Sequence, residues 1–212
     1  NTDLAIIDRL EIIKGPSAIF VANGPVGGVI NKVSKSPVSY DVRSLKLQAG
    51  MYDANRVELD LGGPITSDGK WLYRFVAAGQ YSDGYYDHTY DHRLVLFPSL
   101  SYVFNEHSRL TVKYYYFNFD FGSYNGLPWD ERTGAIIDID RRSTFSEDDP
   151  LNWRTDVVHR GTVEYTNRFN ENLAMRVAGF WGVSNSARVE SVNGIAIPPT
   201  FVNGQLLNRS TT

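Results

Sequence analysis

Apolar and polar residues alternate with a period of two in seven stretches of this chain. Leu45, Leu47 and Ala49 alternate with Lys46 and Gln48, and Val57, Leu59 and Leu61 with Arg56, Glu58 and Asp60. Trp71, Tyr73, Phe75, Ala77 and Tyr81 share one parity; Arg74 and Gln80 share the other. The same contrast separates Leu100, Tyr102 and Phe104 from Ser99 and Ser101, and Leu110, Val112, Tyr114 and Tyr116 from Thr111 and Lys113. It returns in Val157, Val163 and Tyr165 against Asp156, Arg160, Glu164 and Thr166, and in Leu173, Met175, Val177 and Trp181 against Arg176. Successive side chains of a strand point to opposite faces, so this texture predicts half-buried antiparallel strands. Ahead of it, residues 4 to 14 (LAIIDRLEIIK) predict a strand, rich in isoleucine and ended by Gly15-Pro16. Ser17 to Phe20 fits one helical turn with Pro16 near its start, and Val29 to Lys35 fits a second strand closed by Ser36-Pro37. The first 37 residues therefore read as a compact α+β piece, and the fold class as mostly β.

The connections are of two kinds. Residues 62–70, 105–108 and 168–172 are short and rich in turn formers. Between them the connections run longer, at 82–92 and above all at about 118–152, although the one near Gly50 to Ala54 is short. Short turns at one end and long loops at the other is the arrangement of an outer-membrane barrel. A soluble sandwich also alternates, with strands of typically about five or six residues and a polar outward parity. Here the polar parity carries full charges in mid-strand: Arg56, Glu58, Asp60, Arg74, Lys113, Arg160 and Glu164. Charges suit a wet lumen, and aromatics near strand ends suit the two interface girdles.

Composition sharpens this picture. The 212 residues suffice for one large domain or two modest ones, and 42% hydrophobic with 21% charged residues excludes a disordered chain. A net charge of -3 argues against a nucleic-acid partner. With no cysteine there is no disulfide framework, thiolate metal site or Cys nucleophile. No run approaches the roughly 18 apolar residues of a membrane helix, but membrane strands give no such peak. The 13 Tyr, 11 Phe and 4 Trp, many in alternating patterns, suit the barrel. Both chain ends read as cuts through a longer protein, and seven strands do not close a large barrel, because every membrane strand edge must be paired.

The stretch GPSAIFVANGPVGGVIN (15–31) lacks the Gly-Lys-Ser/Thr of a phosphate-binding loop and the G-x-G-x-x-G of a dinucleotide site. Turn punctuation is its simplest reading. The order of residues says more. Ile7-Asp8-Arg9-Leu10-Glu11-Ile12-Ile13-Lys14-Gly15-Pro16-Ser17 leads into Gly27-Gly28-Val29-Ile30-Asn31-Lys32-Val33-Ser34-Lys35-Ser36-Pro37. This resembles the end of the plug domain of TonB-dependent outer-membrane receptors, roughly I-E-R-[IV]-E-V-[LIV]-[RK]-G-P-[SA], a small turn, then G-G-[VL]-I-N-[LMI]-V-[ST]-K-x-P. It ends where the alternating strands begin. Leu59-Asp60-Leu61-Gly62-Gly63-Pro64 before Asp68-Gly69, Pro98-Ser99-Leu100-Ser101-Tyr102, and Gly126-Leu127-Pro128 also look familial. One departure is Phe20-Val21-Ala22, where the family often has Leu-Tyr-Gly; Val21 neither stacks nor hydrogen-bonds as that Tyr does towards a ligand.

The resemblance implies residues 1–37 as the C-terminal part of an α+β plug and 38–212 as the first strands, about seven, of a 22-stranded transmembrane barrel. It implies energy-dependent uptake of a ferric siderophore, with outer-membrane lipid around the barrel. A TonB-type energy-transducing partner would act on an N-terminal box ahead of Asn1. Iron would be cargo held by the siderophore, with no resident cofactor, and the charged contacts between plug and lumen would be wet and worth about 0–1 kcal/mol each. Cobalamin, haem and glycans are alternative cargoes, and a passive porin is an alternative class.

The candidate ligand-binding residues sit in three loops. Asn23, in Asn23-Gly24-Pro25, marks a plug apex. Tyr85, Tyr86 and Tyr90 in SDGYYDHTYDH (82–92) offer an aromatic rim, with the membrane interface as the competing reading. His88 and His92 are four apart, a zinc-pair spacing on a helix, but Gly84 and the Tyr/Thr content speak against a helix and for a solvated loop. The long loop 118–152 adds Tyr124 and Trp129 and holds eight acids against three bases, a mouth mildly favouring neutral or cationic ligands. Tyr114, Tyr115, Tyr116, Phe117 and Phe119 are assigned to the interface girdle. Asn208-Arg209-Ser210 matches a glycosylation sequon without weight in a bacterial-type membrane protein. With four histidines (His88, His92, His107, His159) and no nucleophile signature, no catalytic or metal-ligating residue is assigned.

Overall fold

The computed structural model describes residues 2–14, 28–122, 142 and 153–189. It also describes the backbone of four two-residue strands at 129–130, 135–136, 201–202 and 205–206. A single 3-10 turn, Leu4–Ile6, opens the chain and is capped by the Asp3 side chain. Two strands follow, β1 (Ile7–Lys14) and β2 (Gly28–Ser34), paired antiparallel with a shift between Ile7 and Arg9. Residues 4 to 6 thus depart from the strand expected there, because the Asp3 carboxylate accepts the Ala5 N–H at 2.8 Å and turns the chain. Gly28 has φ +136°, and a side chain there would meet the Ile13 carbonyl at 2.8 Å, so the start of β2 needs glycine.

The main sheet has seven strands: β3 (Val42–Ala49), β4 (Asn55–Pro64), β5 (Trp71–Tyr81), β6 (Tyr90–Asn105), β7 (Ser108–Gly122), β10 (Trp153–Arg168) and β11 (Ala174–Val189). They form an antiparallel meander in the order β11-β10-β7-β6-β5-β4-β3. Between β7 and β10 lies a minimal hairpin, β8 (Trp129–Asp130) with β9 (Ala135–Ile136), and β12 (Phe201–Val202) pairs with β13 (Gln205–Leu206). Each alternating stretch of the sequence is one strand of the sheet. Four strands, β6, β7, β10 and β11, run 15 or 16 residues and extend into segments expected as loop. β6 already begins at Tyr90, opposite Gly122, so the expected loop 82–92 shrinks to 82–89, and β7 takes the first residues of the expected loop 118–152. Backbone pairing carries these strands past the point where apolar alternation fades.

The register sorts side chains into two faces. On the outer face, Trp71, Tyr102, Leu110, Tyr165 and Val177 stand in one rung, and Tyr73, Leu100, Val112 and Val163 in the next. From Leu94 to Phe104 the outward residues of β6 cover roughly 33 Å of strand at ~3.3 Å per residue. At a barrel tilt of about 40° that is about 25 Å of height, the thickness of a lipid-facing band. Trp71 is 40% exposed on this face. Trp71–Tyr102, Tyr102–Phe104 and Phe104–Tyr165 form an aromatic row at the short-turn end, with ring centroids 4.8, 4.8 and 6.2 Å apart. On the opposite, inner face lies the core: Val76, Ala78, Val95, Phe97, Tyr115, Phe117 and Val158, closed by Ala5 and Ile6 from the N-terminal turn. The N-terminal segment therefore packs on the side of the sheet facing away from the apolar band.

Candidate functional site

The inner face is where polar chemistry collects, and two features stand out on it. The first is an interlock between the N-terminal segment and the sheet. Arg56 of β4 donates through Nη2 to Asp3 Oδ1 (2.7 Å) and through Nη1 to Asp3 Oδ2 (3.2 Å), while its Nε donates to Glu58 Oε1 (2.7 Å). The Asp3 N–H donates to the Tyr115 hydroxyl at 3.3 Å. One turn of sheet away, Arg74 of β5 grips Asp60 as a fork (Nε to Oδ1 2.6 Å, Nη2 to Oδ2 2.8 Å), and Lys35 Nζ adds a third contact at 2.8 Å. A side chain at position 62 would meet Arg74 Cδ at 2.8 Å, so Gly62 leaves the space in which that guanidinium lies. Lys113 of β7 completes the set, donating to Ser34 Oγ (3.1 Å) and Ser36 Oγ (2.7 Å).

These contacts are drier than the wet, weak pairs expected from the sequence. The Asp3 side chain is 2% exposed and that of Arg56 15%; Asp60 and Arg74 stand at 13% and 11%. The apolar packing of Ala5 and Ile6 beside them excludes water, which raises both the strength of each pair and the cost of leaving one partner alone.

The second feature is an aromatic ladder along β7. Tyr115, Phe117, Phe119 and Phe121 point to the inner face, with successive centroids 6.0, 5.9 and 4.6 Å apart. Of the five aromatics assigned from sequence to the interface girdle, only Tyr114 and Tyr116 take the outer parity; Tyr115, Phe117 and Phe119 do not. The reason is physical. The run YYYFNF carries aromatics on both faces and its polar residue, Asn118, on the outer parity, so aromatic composition misleads there; the parity of Thr111 and Lys113 continued along β7, and the register with β6 and β10, place Tyr115, Phe117 and Phe119 inward. Tyr115 and Phe117 are buried under the N-terminal turn, whereas Phe119 and Phe121 are half-buried beyond it. Arg93 of β6 lies over Phe119 (Cζ 4.8 Å from the centroid) and is paired with Asp91. On the other flank Arg154 of β10 pairs with Asp156 at 2.8 Å, and Ser186 hydrogen-bonds Asp156.

Of the six sequence candidates, the structure brings Tyr85 and Tyr86 together. Their rings make an edge contact at 5.1 Å, and Tyr52 adds another against Tyr85 at 5.9 Å. Arg142 Nε donates to the Tyr85 carbonyl at 3.2 Å, and the Asp83 N–H donates to the Tyr52 carbonyl at 2.9 Å, so three connections meet at this point. Tyr90 is in β6 on the outer parity, beside His92 (4.9 Å), which itself stacks on Tyr81 (4.3 Å). His92 is therefore a strand residue in an aromatic stack, while His88 sits in the turn with φ +61°. Trp129 is in β8, paired with Ile136. Asn23 and Tyr124 lie outside the described residues, as does the helical turn expected at 17–20. Among the described residues no group of three or more His, Asp or Glu is placed to hold a metal ion.

An antiparallel meander with an apolar outer band, an aromatic row at its short-turn end and a charged inner face is part of the wall of a transmembrane β-barrel. No protein-family model matches the chain. It is 36% identical over 111 residues to the metal-pseudopaline receptor CntO of Pseudomonas aeruginosa, covering 52% of this chain and 16% of that protein. To the ferripyoverdine receptor of the same organism it is 35% identical over 111 residues, 52% of this chain and 14% of the relative. The chain thus spans about one sixth of the length of these relatives. Among solved structures, the pyoverdine outer-membrane receptor FpvA of Pseudomonas aeruginosa bound to pyoverdine superposes with a TM-score of 0.73 at 27% identity, over 88% of this chain and 27% of that one. The FpvAI–pyocin S2 complex gives 0.79 at 24% identity, over 92% and 26%, a likeness of fold. Over the residues they share, the chain is similar to siderophore receptors of Gram-negative outer membranes, and its fold matches part of the barrel of a TonB-dependent receptor.

Proposed function

We propose that this chain is the stretch in which a plug passes into the barrel wall of an importer of ferric siderophores. Residues 1–37 are then the end of the plug, and 38–212 the first strands of a 22-stranded barrel. The observation that carries this reading is the interlock: a segment bound to the inner face through Asp3–Arg56, Lys35–Asp60–Arg74 and Lys113 is what stoppers a lumen. A passive porin has no use for it.

Each part of the geometry has a task in such a cycle. Ligand arrives from outside between the plug apex, with Asn23, and the loop aromatics Tyr85, Tyr86, Tyr124 and Trp129, whereas Tyr90, on the outer parity of β6, faces away from this path. Iron is cargo, carried by the chelate. An energy-transducing partner of the TonB type pulls on chain ahead of Asn1, so tension reaches the Asp3–Arg56 pair before it reaches Lys35–Asp60. Once Asp3 leaves, Arg56 keeps Glu58 and Gln80, at 2.7 and 3.1 Å, so the wall is left with a satisfied guanidinium and the step is reversible. The apolar seat of Ala5 and Ile6 resets the segment when tension ends.

The test is binding of a panel of ferric chelates to the full-length receptor, followed by quenching of its tryptophans, together with iron uptake by cells with and without the energising partner. Sub-micromolar binding of a ferric siderophore and partner-dependent uptake are expected. Binding of cobalamin, haem or a glycan in place of siderophores would overturn the cargo. Passage of small sugars without an energy source would overturn the transporter class.

A further inference from the structure

We infer that Phe119 and Phe121, with Arg93, select chelates that present a flat aromatic, anionic arm over wholly aliphatic chelates. The inference rests on the siderophore reading above and goes beyond it by naming the chemistry the wall prefers.

The argument starts from where the ladder stops being structural. Tyr115 and Phe117 serve the core, covered by Ala5 and Ile6. Phe119 touches that core at its margin, and Phe121 stands one rung further along, stacked on Phe119 at 4.6 Å and 19°. Both are half-buried and both point to the inner face, so lipid does not explain them. Phenyl faces left on a wet wall are unfavourable unless something apolar and flat covers them. What flanks them narrows the choice. Arg93 and Arg154 border the pair on β6 and β10, each with a carboxylate partner, Asp91 and Asp156. An arginine already neutralised by its neighbour still presents remaining N–H donors to an anionic oxygen, and its plane stacks on an aromatic ring, as Arg93 does on Phe119. A ligand arm with a π-face and charged ring oxygens matches both elements together. An aliphatic hydroxamate chain matches neither.

The test compares two probes on the full-length receptor: a ferric complex of a catechol-type chelator and a ferric trihydroxamate. Phe121→Leu keeps the bulk and apolarity of the site while removing the ring. It is expected to weaken the catechol-type complex about tenfold, the order of one lost stacking contact. The trihydroxamate should change less than about twofold. Arg93→Lys, which keeps the charge and loses the planar fork, should shift the same probe in the same direction. Unfolding midpoints of both variants matching the parent's would show that the wall is intact. Equal loss for both probes, no loss for either, or tight binding of the trihydroxamate alone overturns this inference and leaves the siderophore reading standing. Binding of neither probe by the parent receptor overturns both.

Discussion

On the outer face, one row crosses all seven strands: Leu45, Leu59, Ala77, Leu96, Tyr116, His159 and Val183. None of them carries a full charge except His159 when protonated, and its Nδ1 shares a 2.7 Å hydrogen bond with the Tyr114 hydroxyl. One residue along, the inner row reads Lys46, Glu58, Ala78, Val95, Phe117, Val158 and Ser184. It opens on charge, passes through the core and closes on a hydroxyl. The same backbone hydrogen bonds hold both rows. Lipid is one solvent everywhere, so the outer row needs one chemistry. The inner row meets an N-terminal segment in one place and water in another, so each position answers to what covers it.

Cutting into the inner core should have the largest effect. Phe97→Ala removes a ring from the centre of the cluster under Ala5 and Ile6, and is expected to cost about 3–5 kcal/mol in equilibrium unfolding of the full-length receptor. A cost below about 1 kcal/mol would mean the inner face is not a packed core. Next comes Leu100→Arg, which sets a charge in the outer band. In bilayers it should cost about 2–4 kcal/mol, against less than about 1 kcal/mol for Thr162→Arg on the inward parity. Equal costs for the two would break the distinction between faces.

The interlock gives a smaller effect. Arg56→Gln leaves Asp3 buried without its cation and should lower stability by about 1–3 kcal/mol, with Asp3→Asn in the same background adding little further loss. Full additivity of the two would show that they do not act as a pair.

The smallest effect lies on the hairpin of β1 and β2. The Glu11 carboxyl is held below the usual carboxylate range, first by the Asn31 side-chain N–H at 2.8 Å and then by Arg9. A depressed folded value means that its contribution to stability is present above the ordinary carboxylate range and fades as pH falls through the folded value. Asn31→Ala should return the Glu11 titration towards the ordinary range, as followed by NMR of the labelled carboxyl. An unmoved titration would remove the cross-strand bond as its cause.

Much of the architecture was legible in the residues. Each of the seven alternating stretches is a strand, and the side of Trp71, Tyr73 and Phe75 is the outer one. The turn at Leu4–Ile6 was not legible, since it depends on one carboxylate reaching back to one N–H. The inward half of the aromatic run on β7 was legible only by carrying the parity of Thr111 and Lys113 forward through it. The loop position of Tyr85 and Tyr86 was legible from composition, and their mutual ring contact was not. Tyr90 and His92 were placed with them because their alternation is too short to reveal a strand that only pairing with residues 120–122 extends.

Period-two hydropathy determined the strand count, the outer face and the charged parity, because lipid and water each impose their demand on every residue separately. Only the tertiary structure decided which charges are partnered, that Asp3 and Lys35 seat on the wall, and where the aromatic ladder leaves the core. Those outcomes depend on register and on contacts between residues distant in the chain, such as Arg74 with Asp60, 14 positions apart, and Arg56 with Asp3, 53 apart, and no local pattern encodes such distances.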